Sequence, residues 1–102
     1  MLLTLKKCQE NMQFHNGNLD LVYDSSITEL PIGLVVNGDL DIMATSITTF
    51  PNGLVVRGNL HAEHTKIKKP PIGLVLGGKI VCQKDSILVN LVFEGYVVEI
   101  VE

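Results

Sequence analysis

Leu30–Thr49 reads LPIGLVVNGDLDIMATSITT, Phe50–Lys69 reads FPNGLVVRGNLHAEHTKIKK, and Pro70–Val89 reads PPIGLVLGGKIVCQKDSILV. The three segments align without a gap, so the chain repeats every 20 residues under the frame LPxGLxVxGxLxIxxTxIxx. Self-similarity at a short fixed step marks a solenoid, in which each copy buries its apolar face only by stacking on its neighbours. Upstream, Gly17–Glu29 reads GNLDLVYDSSITE and fits the second half of the frame with one extra residue between Leu21 and Ile27. It reads as a partial first copy carrying a bulge.

Within a copy, Leu34, Val36, Leu40 and Ile42 follow the two-residue alternation of a strand, with Gly38 interposed. The Pro and Gly of each LPxG and xGx segment break any helical period, and the β-branched residues between them favour extended backbone. Each copy therefore reads as two short strands and two turns. Gly38, Gly58 and Gly78 are expected either where a side chain would obstruct a corner or where φ is positive. Stacking equivalent residues predicts five core columns: Leu34, Leu54, Leu74; Val36, Val56, Leu76; Leu40, Leu60, Ile80; Leu21, Ile42, Ala62, Cys82; and Ile27, Ile47, Ile67, Ile87.

The segments LDIMATSITTFP and LHAEHTKIKKPP resemble the LxLxxNxLxxLP half of a leucine-rich repeat of the short bacterial type. The likeness runs from about Gly17 to Val89. It departs where the family places an Asn ladder, since Ser25, Thr45, Thr65 and Asp85 stand there and hydroxyls must serve the turn backbone. The GLxVxG half is also more strand-like than the family's convex segment. The resemblance implies ligand binding by a repetitive surface, on the outward face of the LxI strand, and no catalysis.

The expected architecture is an all-β fold: one domain over 1–102, a short right-handed leucine-rich-repeat-like β-solenoid with 1–16 as N-terminal cap, 17–89 as repeats and 90–102 as C-terminal cap. Solenoid ends expose apolar strand edges, so terminal segments leave the frame to cover them. Ile87–Val101, ILVNLVFEGYVVEIV, has two apolar runs either side of Glu94 and Gly95 and predicts a β-hairpin. Residues 5–12 fit a strand or a short helix.

Of 102 residues, 46% are hydrophobic and 19% charged, with no Trp, two Tyr and three Phe, which excludes disorder and gives little room for a large active-site cavity. The net charge of −3 rules out nucleic-acid binding by bulk charge. It conceals banding: residues 1–50 are mostly acidic (Asp20, Asp24, Glu29, Asp39, Asp41), and 51–85 mostly basic (Arg57, Lys66, Lys68, Lys69, Lys79, Lys84). The basic band lacks interleaved aromatic residues, so nucleic acid is not expected as a partner and a solvated face is the simpler reading. The acidic band fits phosphate mimicry toward a DNA-binding partner as well as plain solubility. No apolar run reaches membrane-spanning length, and the opening MLLTLKK lacks the order of a signal peptide, so the expectation is a cytoplasmic protein without membrane contact.

No catalytic, cofactor-binding or metal-binding set emerges. In HAEH, His61 takes the outward strand position of Asp41 and His64 falls at the next turn, with no third ligand evident. Cys82 belongs to a core column, and Cys8 sits beside Lys6 and Lys7, which would lower its pKa without supplying a catalytic partner. The glycines follow the repeat and form no phosphate loop. Regular Thr columns of the ice-binding kind are broken by Asp85 and Lys68.

Two surfaces qualify as partner-binding candidates. The column Val35, Val55, Val75 alternates with the core and should face outward, unless a cap or loop covers it. The outward face of the LxI strand offers Asp41 with Met43, His61 with Glu63, and Val81 with Gln83; Arg57, Lys66 and Lys68 are basic candidates. The function expected is non-enzymatic protein binding, as in a small phage or bacterial inhibitor or adaptor acting on a host protein complex. The alternative is a structural protein that forms a homo-oligomer through its C-terminal strand.

Overall fold

The computed structural model describes residues 1–101. The chain folds as a mostly β, parallel-stacked solenoid of about four turns preceded by a short helix. One sheet runs through β1 (Leu19–Asp20), β3 (Leu40–Asp41), β5 (Leu60–His61), β7 (Lys79–Gln83) and β8 (Val97–Val101). A second sheet holds β2 (Val35–Val36), β4 (Val55–Val56) and β6 (Val75–Leu76). All pairings are parallel, with Leu40 beside Leu60, Leu60 beside Ile80, and Val35 beside Val55. Leu19 instead meets Leu40, 21 positions on, as the extra residue of the first copy requires.

The five predicted columns form the core, with Leu34, Val36, Leu40, Ile42 and Ile47 and their stacked equivalents buried; only Leu76 and Ile87, in the last full coil, are half-buried. Hydroxyls serve the turns as expected: buried Thr45 and Thr65 donate to the carbonyls of Ile42 and Ala62, each at 2.8 Å. The left-handed corner is occupied by Tyr23, Ala44 and His64, with φ between 56° and 63°, and the last two directly precede the buried threonines.

The two recurring glycines of the frame do different work. Gly33, Gly53 and Gly73 have positive φ, which l-residues with a Cβ rarely adopt. Gly38, Gly58 and Gly78 do not; a Cβ there would strike the coil beneath, at Gly58 coming within 2.9 Å of the Gly38 carbonyl. Obstruction, the first of the two alternatives, therefore accounts for them. Between these glycines and the β1 sheet runs a polar ladder. Asn18 Oδ1 accepts from the Asp39 N–H at 2.8 Å, Asp39 Oδ1 from Asn59 N–H at 2.7 Å, and Asn59 Oδ1 from Lys79 N–H at 3.0 Å. Each side-chain oxygen thus satisfies the amide one coil above, where the chain leaves one sheet for the other.

Both caps differ from a purely β reading. Residues Leu5–Phe14 form α1, with Thr4 as N-cap accepting from Lys7 N–H at 3.2 Å; the segment has no β-branched residue and buries Cys8 and Met12, four apart on one face. Asn11 of α1 closes the sheet edge at β1: its carboxamide donates to the Asp20 carbonyl at 3.0 Å and accepts from the Asp20 N–H at 2.9 Å, as a neighbouring strand would. Asn11→Ala leaves that half-buried edge pair without a protein partner. The expected cost is about 1–3 kcal/mol, read as faster amide exchange at Asp20 ahead of global unfolding.

The C-terminal hairpin does not form. Ile87–Glu94 is a 3₁₀ helix, capped by Ser86 Oγ, which accepts from Leu88 N–H at 3.1 Å, and ended by Gly95 at φ 92°. Leu88 and Leu91, three apart and therefore eclipsed in a 3₁₀ turn, close the core. The helix carries the chain back across the coil, so β8 pairs parallel to β7, Ile80 beside Val98 and Cys82 beside Ile100. An antiparallel hairpin would have broken the stacking that the repeats establish.

Candidate functional site

The parallel register that buries Leu34, Leu54 and Leu74 forces the residues that follow them to the other side of the β2 sheet. Val35, Val55 and Val75 stand directly beside one another there. Val75 is 58% exposed and Val35 also exposed, while Val55 between them is half-buried by its two neighbours. No cap or loop of the described residues covers the row. At the preceding turn Ile32 and Ile72, equivalent in the frame, are 84% and 67% exposed, with Asn52 between them. Alternation does not assign Ile32 and Ile72 to a face, because the x of LPxG sits in a turn. The signal available was that two of three copies place Ile where a solvated turn has no use for it. The valine row gives the outer side of the β2 sheet an apolar character, and the two isoleucines add exposed apolar surface at the turn before it.

The outward face of the β1 sheet has a different character. Asp41 lies beside His61, and His61 beside Val81, as the frame predicted. Val81 is nevertheless buried, screened by its neighbours on the longer β7 and β8. Much of the polar chemistry here is turned inward. Asp41 Oδ1 accepts from Met43 N–H at 3.0 Å, and Asp20 Oδ1 from Val22 N–H at 3.2 Å. Gln83 is spent bridging coils: its Nε2 donates to the Thr65 carbonyl and its Oε1 accepts from His64 N–H, both at 2.9 Å. Met43 is half-buried. Glu63 Oε1 is enclosed without a hydrogen-bond partner, 3.8 Å from His61 Nδ1.

A shallow recess lined by Asn18, Asp20, Asp39, Asp41 and His61 gathers three acids of the acidic band, yet all three already use an oxygen on backbone amides. Among the described residues, no group of three or more His, Cys, Asp or Glu side chains is placed to hold a metal ion. The basic candidates are spread out: Arg57 sits at the corner between β4 and β5, and exposed Lys66 and Lys68 follow β5 on the far side of that strand.

The thiols are correspondingly quiet. Burial pushes Cys8 up to about 11, against the lowering expected from Lys6 and Lys7, whose side chains lie in solvent. Burial also raises Cys82, which is fully enclosed in its core column. Both stay protonated at neutral pH, where a thiol is a poor nucleophile. No described helix is long and apolar enough to cross a membrane.

Searches against family models, curated proteins and solved structures found no match to this chain.

Proposed function

We propose that this chain is a non-enzymatic protein-binding repeat module that engages its partner through the face of the β2 sheet. The observation that carries the reading is the in-register row Val35, Val55, Val75, flanked by exposed Ile32 and Ile72. Folding leaves much of this apolar surface in water, and a partner that covers it removes it at roughly 25 cal/mol per Å². Backbone hydrogen bonds between its strands, such as Val75 N–H to the Leu54 carbonyl at 2.9 Å, already order the face, so little ordering entropy opposes docking. The resemblance of the LxI segments to short bacterial leucine-rich repeats supports the same class of function, although the apolar surface lies on the other sheet. A small inhibitor or adaptor of bacterial or phage type, acting in the cytoplasm on a host protein complex, is the form of this role that the size and the resemblance favour.

The test compares capture from bacterial lysate by the tagged wild-type chain, Val55→Glu and Val75→Glu. A carboxylate in the centre of an apolar contact must be desolvated, so retention of a stoichiometric partner is expected to fall by about tenfold or more in both variants. Thermal melting should move little for Val75→Glu, since that side chain is already largely in water. Equal capture by all three proteins would show that the face is not the contact surface.

A further inference from the structure

The two ends of the five-stranded sheet are finished differently. At β1, α1 and the Asn11 carboxamide occupy the edge. At β8, among the described residues, no strand or helix pairs with the outer edge, leaving a five-residue strand with one free side. Bare edges of this kind are templates for strand addition, and proteins usually blunt them with charge or proline. Here the edge reads Val97, Val98, Glu99, Ile100, Val101, without proline and with a single charge.

We infer that the β8 edge is the interface for a second copy of this chain, paired antiparallel about a two-fold axis at Glu99. The strand has the symmetry such a contact needs. An isologous interface places each residue opposite its mirror position, and about Glu99 the order is apolar, apolar, Glu, apolar, apolar. Val97 then faces the second copy's Val101, and Val98 its Ile100. The one charged position meets itself, but each Glu99 is already bound by Lys79 Nζ at 2.6 Å, which holds its carboxyl below the usual range. Two Glu and two Lys therefore meet at the axis with no net charge.

The core also continues through the contact. Val98 extends the column of Leu40, Leu60 and Ile80, and Ile100 that of Ile42, Ala62 and Cys82. Although it extends a core column, Ile100 remains 49% exposed, because nothing stacks beyond it. A second copy supplies the missing next coil, with Ile100 against Val98 in each direction. Head-to-tail stacking is closed off because α1 covers the other end, so the product is a dimer and not a filament. This contact is separate from the β2-sheet face.

Sedimentation and light scattering over a concentration series should give twice the 11.2 kDa chain mass. Glu99→Lys puts four ammonium groups at the axis and should weaken the dimer by about a hundredfold, while folding survives because the residue is exposed. Lys79→Glu combined with Glu99→Lys restores neutrality and should restore the dimer. Register is read by cysteine pairing, the native Cys8 and Cys82 being buried. Glu99→Cys should close an intermolecular disulfide, whereas Val97→Cys, about 14 Å from its mate in this pairing, should not. Wild-type mass that stays at one chain, a dimer unaffected by Glu99→Lys or broken by Val55→Glu, or disulfide closure at Val97→Cys in place of Glu99→Cys would each overturn the assignment.

Discussion

Gly58→Ala is expected to lower the unfolding free energy by about 3 kcal/mol or more, measured by urea denaturation. A Cβ at this position falls 2.9 Å from both the carbonyl carbon and the oxygen of Gly38 and 2.2 Å from Asp39 Oδ1. The Asp39 oxygen is no idle side chain, since it accepts the Asn59 amide at 2.7 Å, and the Gly38 carbonyl accepts the Gly58 amide at 2.9 Å. Relief of the clash therefore spreads the coils and weakens two inter-coil hydrogen bonds at once. Gly53→Ala provides the internal comparison: φ is 73° but nothing lies within 4 Å of the added carbon, so the cost is the backbone preference alone, about 1–2 kcal/mol. A Gly58→Ala loss no larger than that of Gly53→Ala would mean that the coils can separate freely and that the stacking is looser than described.

Leu60→Ala is expected to cost about 4 kcal/mol, near the top of the usual range for a buried leucine. Leu60 is fully buried in the middle of the column running from Leu19 through Leu40 to Ile80 and Val98. Coils above and below are tied to its own, with the Leu40 N–H donating to the Asn59 carbonyl at 2.9 Å and the Ala62 N–H to the Val81 carbonyl at 2.8 Å. The cavity left by truncation has walls fixed by backbone pairing and cannot collapse, which is what makes such deletions costly. Leu76→Ala, half-buried in the last full coil of the β2 sheet, should cost clearly less. Denaturation midpoints for the two variants give the comparison, and equal losses would show that the end coil is packed as tightly as the centre.

Much of this molecule is legible before any coordinates. The 20-residue step sets the parallel register, and alternation within LVV and LDI assigns each side chain to the inside or outside, because strand geometry points successive residues to opposite faces. The G-N, G-D, G-N dipeptides ending in Asn18, Asp39 and Asn59 repeat as regularly as the leucines, so the polar ladder was also visible as a pattern, though its partners were not. For the proposed binding face, alternation marks the valine row, whereas Ile32 and Ile72 lie in a turn that alternation does not assign and are signalled only by the recurrence of Ile in two of three copies.

What remained undecided depends on which groups meet across coils. Ile87–Val101 carries two apolar runs separated by Glu-Gly, a local pattern that predicted a hairpin; the structure forms a 3₁₀ helix there instead, because Leu88 and Leu91 can then close the core while β8 extends the sheet. Val75 and Val81 are both outward valines on parallel strands, and one is exposed while the other is buried, because β6 is the last strand of its sheet and β7 is covered by β8. By itself, then, the amino-acid order determined the repeat, the inward columns and the outward valine row, all of which follow from backbone period and apolar burial. Only the tertiary structure decided the direction of the last strand, the closing of one sheet edge by Asn11 and the openness of the other, because those depend on contacts between residues that no local period relates.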